Sequence, residues 1–404
     1  MVGNLKNGNA TGKFDVLTFL INVYFLMSYL SLFSPDLRYM KYSLPVIGWF
    51  FYMNRTAGTE SPSIVIARKY LTEFLKLYCA IFLFYFFVQL LTGTITTRYF
   101  ANCLFVLLPL LFMYVLLPFI KIEKIRFYFL YISFGTILGY VLEKQSSIFE
   151  TLLNWQQLLA GIEDSTVSSE SNLYPFLLAF TLVFACFYKL QWKYIFVLLV
   201  FMLLGFKRIV IFGVISFLAL NMFPRLYDHI ILRPRRFSYI FAFIVSVIIM
   251  TYYYVANGVF DDFLFNTFGL YTNAFLQGRQ ELYRLVIDKL NDSNFILGSG
   301  IGSVDDVLLT YRVQISNITN LHSELLRWFL EVGGILYFIW MYKFFLNSLS
   351  TRFNMLLFLF LFIILLTDNV FIYFDCMFYI YLLSVFSIII DNHKNNELLI
   401  SRLD

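Results

Sequence analysis

Apolar residues run in long blocks along most of this chain, with short polar stretches between them. The blocks are roughly 14–33, 40–53, 72–92, 99–120, 125–142, 173–188, 194–206, 208–223, 237–256, 324–345, 354–372 and 374–390. A helix needs about 20 mostly apolar residues to cross a hydrocarbon core of about 30 Å. Most of these blocks approach that length, although 40–53 is short and is interrupted by Pro45 and Gly48. The expected fold class is an all-α integral membrane protein of about 12 transmembrane helices with a long, partly helical outer-face loop. Residues 1–256 would form an N-terminal membrane bundle of about nine spans. Residues 257–323 would form the outer loop that carries site residues, and 324–404 the last spans and a cytoplasmic tail.

Composition agrees with the pattern. Of 404 residues 60% are hydrophobic, 21% are aromatic and only 14% are charged, which excludes a soluble single-core protein. The polar N-terminal stretch and the long run after it argue against a cleaved signal peptide, so Phe14 to Phe33 is expected to be a first span. Cys79, Cys103, Cys186 and Cys376 stand singly within apolar runs and read as small buried apolar residues. The net charge of +5 reflects basic loops and does not indicate a nucleic-acid partner. The triplet Asn317-Ile-Thr is a formal glycosylation sequon that we read as chance.

Lys and Arg set the orientation, because cytoplasmic loops carry an excess of them. Alternate connections hold Lys6 and Lys13; Arg55, Arg68 and Lys69; Lys121, Lys124 and Arg126; Lys189 and Lys193; Arg225, Arg233, Arg235 and Arg236; Lys343 and Arg352; Lys394 and Arg402. These connections are expected inside, with both termini. Two long loops, about 143–172 and about 257–323, then lie outside.

The run 194–223 is broken only by Lys207-Arg208. As one helix, about 30 residues at 1.5 Å each would overshoot a bilayer core. It would also bury two cations at a cost of several kcal/mol. Basic residues on both flanks require two crossings. Two short helices are therefore expected to meet at Gly205 to Arg208 on the outer side, with the Lys-Arg pair in a depression facing something anionic.

The stretch from Gly278 to Gly334 carries most of the chemistry. On a helical wheel Arg279 shares a face with Leu282, Tyr283, Val286 and Leu290, so it is carried inward. Arg284 falls opposite, beside Glu281 and Asp288, and is expected to be solvated and paired with Asp288. A glycine turn (Gly298, Gly300, Gly302) follows, but without a βαβ setting it is not a dinucleotide fingerprint. His322 stands at the outer boundary, just before an apolar helix. With an ordinary pKa near 6.5 it can accept a proton from a hydroxyl nucleophile. Its direction depends on whether Ser323 is the helix N-cap, so Glu324 is kept as an alternative base. Glu324, Arg327 and Glu331 share one helical face and are expected to line a cavity. No metal-ligand spacing is visible; Asp261-Asp262 and Asp305-Asp306 read as solvated pairs. The long loop has four basic and seven acidic residues, so an anion must be held by specific arginines. Asp368-Asn369 lie in a short outer turn, either touching sugar or closing the turn. Trp155, Tyr311 and Trp328 are the aromatics placed to stack on sugar.

The order of these features resembles the O-antigen polymerase (Wzy) and O-antigen ligase (WaaL) superfamily. The residues that carry the resemblance are the Lys207-Arg208 hairpin, the Gly278-Arg279 helix start and the Leu-Gly-x-Gly-x-Gly turn at Leu297 to Gly302. After these come His322, Leu326, Glu331 and Gly333. The match spans roughly residues 190–345. Ser323 stands where the family usually has Asn, and Lys207 where many members have Ser. The resemblance implies transfer of a growing glycan from undecaprenyl diphosphate to a hydroxyl of a lipid-linked repeat unit on the outer face of a bacterial inner membrane. It implies no cofactor and no metal. The implied partners are undecaprenyl diphosphate-linked glycans, the lipid bilayer and a chain-length regulator protein. Arg208 and Arg279 are the candidates for the leaving diphosphate, since a guanidinium binds phosphate in a fork. His322 or Glu324 is the candidate base. Lys207, Arg284, Arg327 and Tyr311 are the candidates for contacting diphosphate or sugar. A ligase acting on lipid A-core, and a flippase or other transporter, are the alternatives. The long outer loop disfavours a transporter, whose site usually lies at the midplane on broken helices.

Overall fold

The structure is a computed structural model describing residues 15–55, 60–144, 173–205, 207–269, 271–276, 279–290, 296–311 and 321–400. Trp155, Gly278, Arg312, Asn317 and most of the first long loop lie outside the described residues. Among those described, the secondary structure is entirely helical. The first half comprises α1 (Val16–Phe33), α2 (Leu44–Met53), α3 (Pro62–Thr92), α4 (Thr97–Leu116), α5 (Ile125–Glu143), α6 (Tyr174–Phe187), α7 (Trp192–Leu204) and α8 (Arg208–Asn221). Then come α9 (Pro224–Leu232), α10 (Pro234–Ala256), α11 (Asp261–Phe268), α12 (Thr272–Phe275), α13 (Gln280–Leu290), α14 (Ser303–Thr310), α15 (Glu324–Ser348), α16 (Arg352–Leu365) and α17 (Phe374–Ile400).

Every one of the twelve apolar runs is helical, but not all are full-length spans. Seven helices among the described residues are long and apolar enough to cross a membrane. The α8–α9 pair, bent by 77°, would make an eighth. Helices α6, α7 and α16 are apolar but only 14, 13 and 14 residues long. The run at 40–53 resolves into a 3-10 stretch, Pro35–Ser43, and the ten-residue α2. Proline stands in the first turn of α2, α3, α6, α9 and α10, where its missing N–H has no intrahelical partner to lose.

Helix α17 is the core of the bundle. Every residue from Phe374 to Ile389 is buried, and α3, α4, α6 and α16 pack around it. The expected break between α7 and α8 falls at Gly205 to Lys207, with α6 behind both halves. The start of α8, the end of α10, the starts of α15 and α17 and the small helices α11 to α14 gather on one face of the bundle. Inter-helix bonds show this directly: Tyr252 of α10 donates to Tyr283 of α13, and Arg279 donates to Thr367 in the turn before α17. The start of α10 and the end of α8 lie on the opposite face, where the Arg352 guanidinium donates to the Asn221 carbonyl.

Candidate active site

Four separate segments bring their polar groups together on that face. Lys207 is the extended residue before α8, so its side chain leaves the helix axis sideways. Its ammonium lies 2.6 Å from the Asp368 carboxylate and 4.3 Å from the centre of the Phe176 ring. The anion that Lys207 faces is a carboxylate of the chain's own. Arg208, the next residue, is exposed and makes no ion pair among the described residues.

Helix α13 lies as its wheel predicts. Leu282, Tyr283, Val286 and Ile287 are buried against Val304, Leu308, Leu321 and Leu326. Arg279 is half-buried at the start of this helix and donates to the Thr367 carbonyl at 3.3 Å. Arg284 is exposed, as expected, but its partner is different. It pairs with Asp261 at 3.4 Å rather than with Asp288, because α11 lies alongside and offers a carboxylate across the gap.

Ser323 is the N-cap of α15, its hydroxyl accepting from the Leu326 N–H at 3.4 Å. His322 therefore lies outside the helix. Its backbone is left-handed, φ +57°, uncommon for a residue with a Cβ and costing about 1 kcal/mol. The Tyr283 hydroxyl, itself bonded from Tyr252, reaches the His322 carbonyl at 3.5 Å. Burial pushes the imidazole pKa below its ordinary value. The Arg279 charge pushes the same way, the Asp368 carboxylate opposes it, and Lys207 adds a smaller downward push. Lys207, Arg279, His322 and Asp368 thus form one electrostatic group, although more than 150 residues separate the first from the last. The sequence marked Asp368 as a residue of a short outer turn, either touching sugar or closing the turn, and did not pair it with Lys207. The available signal was a carboxylate between two apolar helices on the face that also receives Lys207.

Glu324, Arg327 and Glu331 form a second, buried cluster. The Arg327 guanidinium bonds Asp305 of α14 at 2.8 Å and lies 3.7 Å from Glu324 and 3.5 Å from Glu331. Asn102 of α4 donates to Asp305 at 2.9 Å. These residues do line a cavity, as their shared face suggested, but it measures only about 10 Å³, room for one water. Arg327 is 4% exposed, so it faces carboxylates and not an open sugar site. Asp305 is no solvated loop carboxylate; it clamps α14 onto the bundle. Trp328 is likewise unavailable to sugar, since it is buried and stacked on Trp340 at 5.1 Å. Tyr311 lies under the Lys289 ammonium at 4.9 Å, at the far end of α13 from Arg279 and about 15 Å along the helix.

The glycine turn and the Glu-x-Gly sequence prove to be two halves of one joint. Gly333 has φ +66° and ψ 168°, which breaks the hydrogen-bond ladder inside α15. The carbonyls of Leu330 and Glu331, freed by the break, accept from Ser299 N and Gly300 N at 3.0 and 2.9 Å. The Tyr85 hydroxyl lies 2.6 Å from both the Leu297 and Val332 carbonyls. A Cβ on Gly333 would lie 2.3 Å from Gly298 N, and one on Gly298 would lie 2.4 Å from the Glu331 carbonyl oxygen. Both positions therefore require glycine. Gly333→Ala is expected to lose at least about 1–3 kcal/mol of stability through backbone strain alone. Thermal unfolding in detergent checks this, and a wild-type midpoint would show that the joint is not closed as described.

No protein-family model, curated protein or solved structure matches this chain.

Proposed function

We propose that this chain is a surface-polysaccharide polymerase, moving a growing glycan from undecaprenyl diphosphate to a hydroxyl of a lipid-linked repeat unit. The observation that carries the reading is the convergence of Lys207, Arg279 and His322, with Arg208 exposed beside them. Two guanidinium groups can hold a diphosphate, and the histidine favours its neutral, proton-accepting form. In the proposed step the acceptor hydroxyl oxygen bonds to the anomeric carbon as the bond from that carbon to the diphosphate oxygen breaks. His322 takes the hydroxyl proton, and Arg208 and Arg279 hold the lipid diphosphate as it leaves with the electron pair. Fixed donors aimed at developing charge act most strongly in a site that excludes water. Asp368 balances Lys207 and keeps it beside the imidazole. In this reading the short apolar helices also cross the membrane, giving about twelve spans with the site on the outer face of the cytoplasmic membrane.

Surface glycan from a deletion strain tests the reading. Single repeat units on lipid A-core are expected. Full-length chains stranded on undecaprenyl diphosphate would make the protein a ligase, and no outer-face product would make it a flippase. The two arginines of the α13 region give a second test. Arg279→Ala is expected to reduce turnover by about 10²–10³, as for other fixed cations at developing charge. Arg284→Ala, which removes an exposed pair with Asp261, is expected to change it less than about twofold. Equal losses at equal expression would overturn the role given to Arg279.

A further inference from the structure

The face opposite the candidate site carries a feature that the transfer reaction does not use. Helix α8 runs away from Lys207 for 14 residues, about 21 Å, and then turns by 77° into α9. Helix α10 returns toward the site over 23 residues, about 35 Å, close to the thickness of a hydrocarbon core. With α8 upright, the 77° bend lays α9 across the end of the bundle, in the plane where lipid headgroups stand.

Its surface has two characters. Arg225, Arg233, Arg235 and Arg236 are all exposed, and none makes an ion pair among the described residues. The only carboxylate in this stretch is Asp228, also exposed. Beside them Met222, Phe223 and Leu232 are 78%, 63% and 76% exposed, and Leu226 and Ile231 are each 41% exposed. Ile230 and Tyr227 alone anchor the helix, with the Tyr227 hydroxyl donating to the Leu349 carbonyl. An amphipathic helix with bare apolar residues beside unpaired arginines has the chemistry of an interfacial helix. Arg225, Arg235 and Arg236 also occupy first turns, where positive charge opposes the helix dipole, so helix stability does not explain them.

We infer that the stretch from Met222 to Arg236 is a binding surface for anionic phospholipid, with the apolar residues seated among acyl chains and the four arginines on the headgroup phosphates. Charge complementarity selects the occupant. A zwitterionic lipid offers the same phosphate with its charge cancelled, and free phosphate offers nothing to the apolar residues. This inference is independent of the polymerase reading, because no residue of the candidate active site takes part.

The test uses the purified, delipidated full chain in neutral detergent, titrated with phosphatidylglycerol, phosphatidylcholine or inorganic phosphate and read by native mass spectrometry. Wild type is expected to bind phosphatidylglycerol at least tenfold more tightly than phosphatidylcholine. The quadruple variant Arg225→Gln/Arg233→Gln/Arg235→Gln/Arg236→Gln should lose at least tenfold for phosphatidylglycerol and change little for phosphatidylcholine, since each cation near an anionic surface contributes separately. Asp228→Asn removes the opposing charge and should tighten phosphatidylglycerol several-fold, so the proposal stays testable if the quadruple variant fails to fold. Equal binding of the two lipids by wild type, competition by inorganic phosphate at equal concentration, or unchanged phosphatidylglycerol binding in Asp228→Asn would each overturn it.

Discussion

His322→Ala is expected to lower turnover by about 10²–10⁴, the usual range for loss of a positioned general base, while leaving donor binding close to wild type. The split follows from placement. In the proposed reaction the diphosphate is assigned to Arg208 and Arg279, and the imidazole to the attacking hydroxyl. The measurement is single-turnover transfer beside binding of the lipid-diphosphate donor, both on purified protein. Wild-type transfer by the variant would pass the role to Glu324. The pH dependence gives a further handle. Burial and the Arg279 charge both disfavour the imidazolium, so its pKa lies below the ordinary histidine value. The base works only when neutral, so activity should persist as pH falls through about 6.5 and decline only below it. Arg279→Gln removes one of the depressing charges, so the acidic limb of kcat/KM should move up toward the ordinary value. Asp368→Asn removes the opposing carboxylate, so its limb should move further down. Opposite displacements in the two variants would follow only if both groups face the same imidazole.

Local periodicity was enough to find the apolar helices and the inward stripe of α13, but not α9, α11, α12 or α14. Each of the twelve apolar runs contains helix, because hydropathy acts residue by residue, although only seven or eight helices among the described residues are long and apolar enough to span. The inward turn of Arg279 was readable because α13 has one apolar stripe, and that stripe is the one buried. Boundaries failed where charges are satisfied locally. The sequence began the third run at 72, treating Arg68 and Lys69 as loop. In the structure α3 starts at Pro62, and Arg68 pairs with Glu60 and lies over the Tyr114 ring, so the charge does not end the helix. Pairings between distant segments were not legible. Nothing near Arg284 announces Asp261, nothing near Lys207 announces Asp368, and nothing near Trp328 announces Trp340. The glycines were visible as a turn, yet their reason, the joint with Gly333, depends on a helix break thirty residues later.

Arg327→Met is expected to destabilise the protein by about 3–5 kcal/mol, the cost of removing one partner from a buried charged network. The family resemblance makes Arg327 a candidate for contacting substrate, but its surroundings argue for a different role. Its guanidinium faces Asp305, Glu324 and Glu331 within 4 Å, in a cavity too small for a sugar. Without it three carboxylates remain together with no cation, while Gly302 N still donates to Glu331 and Asn102 to Asp305. Helix α14 would lose its clamp to α15, and the glycine turn just before α14 would loosen with it. Pairing the change with Asp305→Asn separates the two roles. If the clamp is structural, the double variant should be less destabilised than the sum of the single changes, with a coupling of about 0.5–3 kcal/mol, as for residues in contact. Donor binding by the fraction that remains folded should match wild type. Wild-type stability with weakened donor binding would instead return Arg327 to the substrate site. The predicted outcome follows from the packing: Ser323, next to His322, caps a helix whose first turns are held by the Arg327 network.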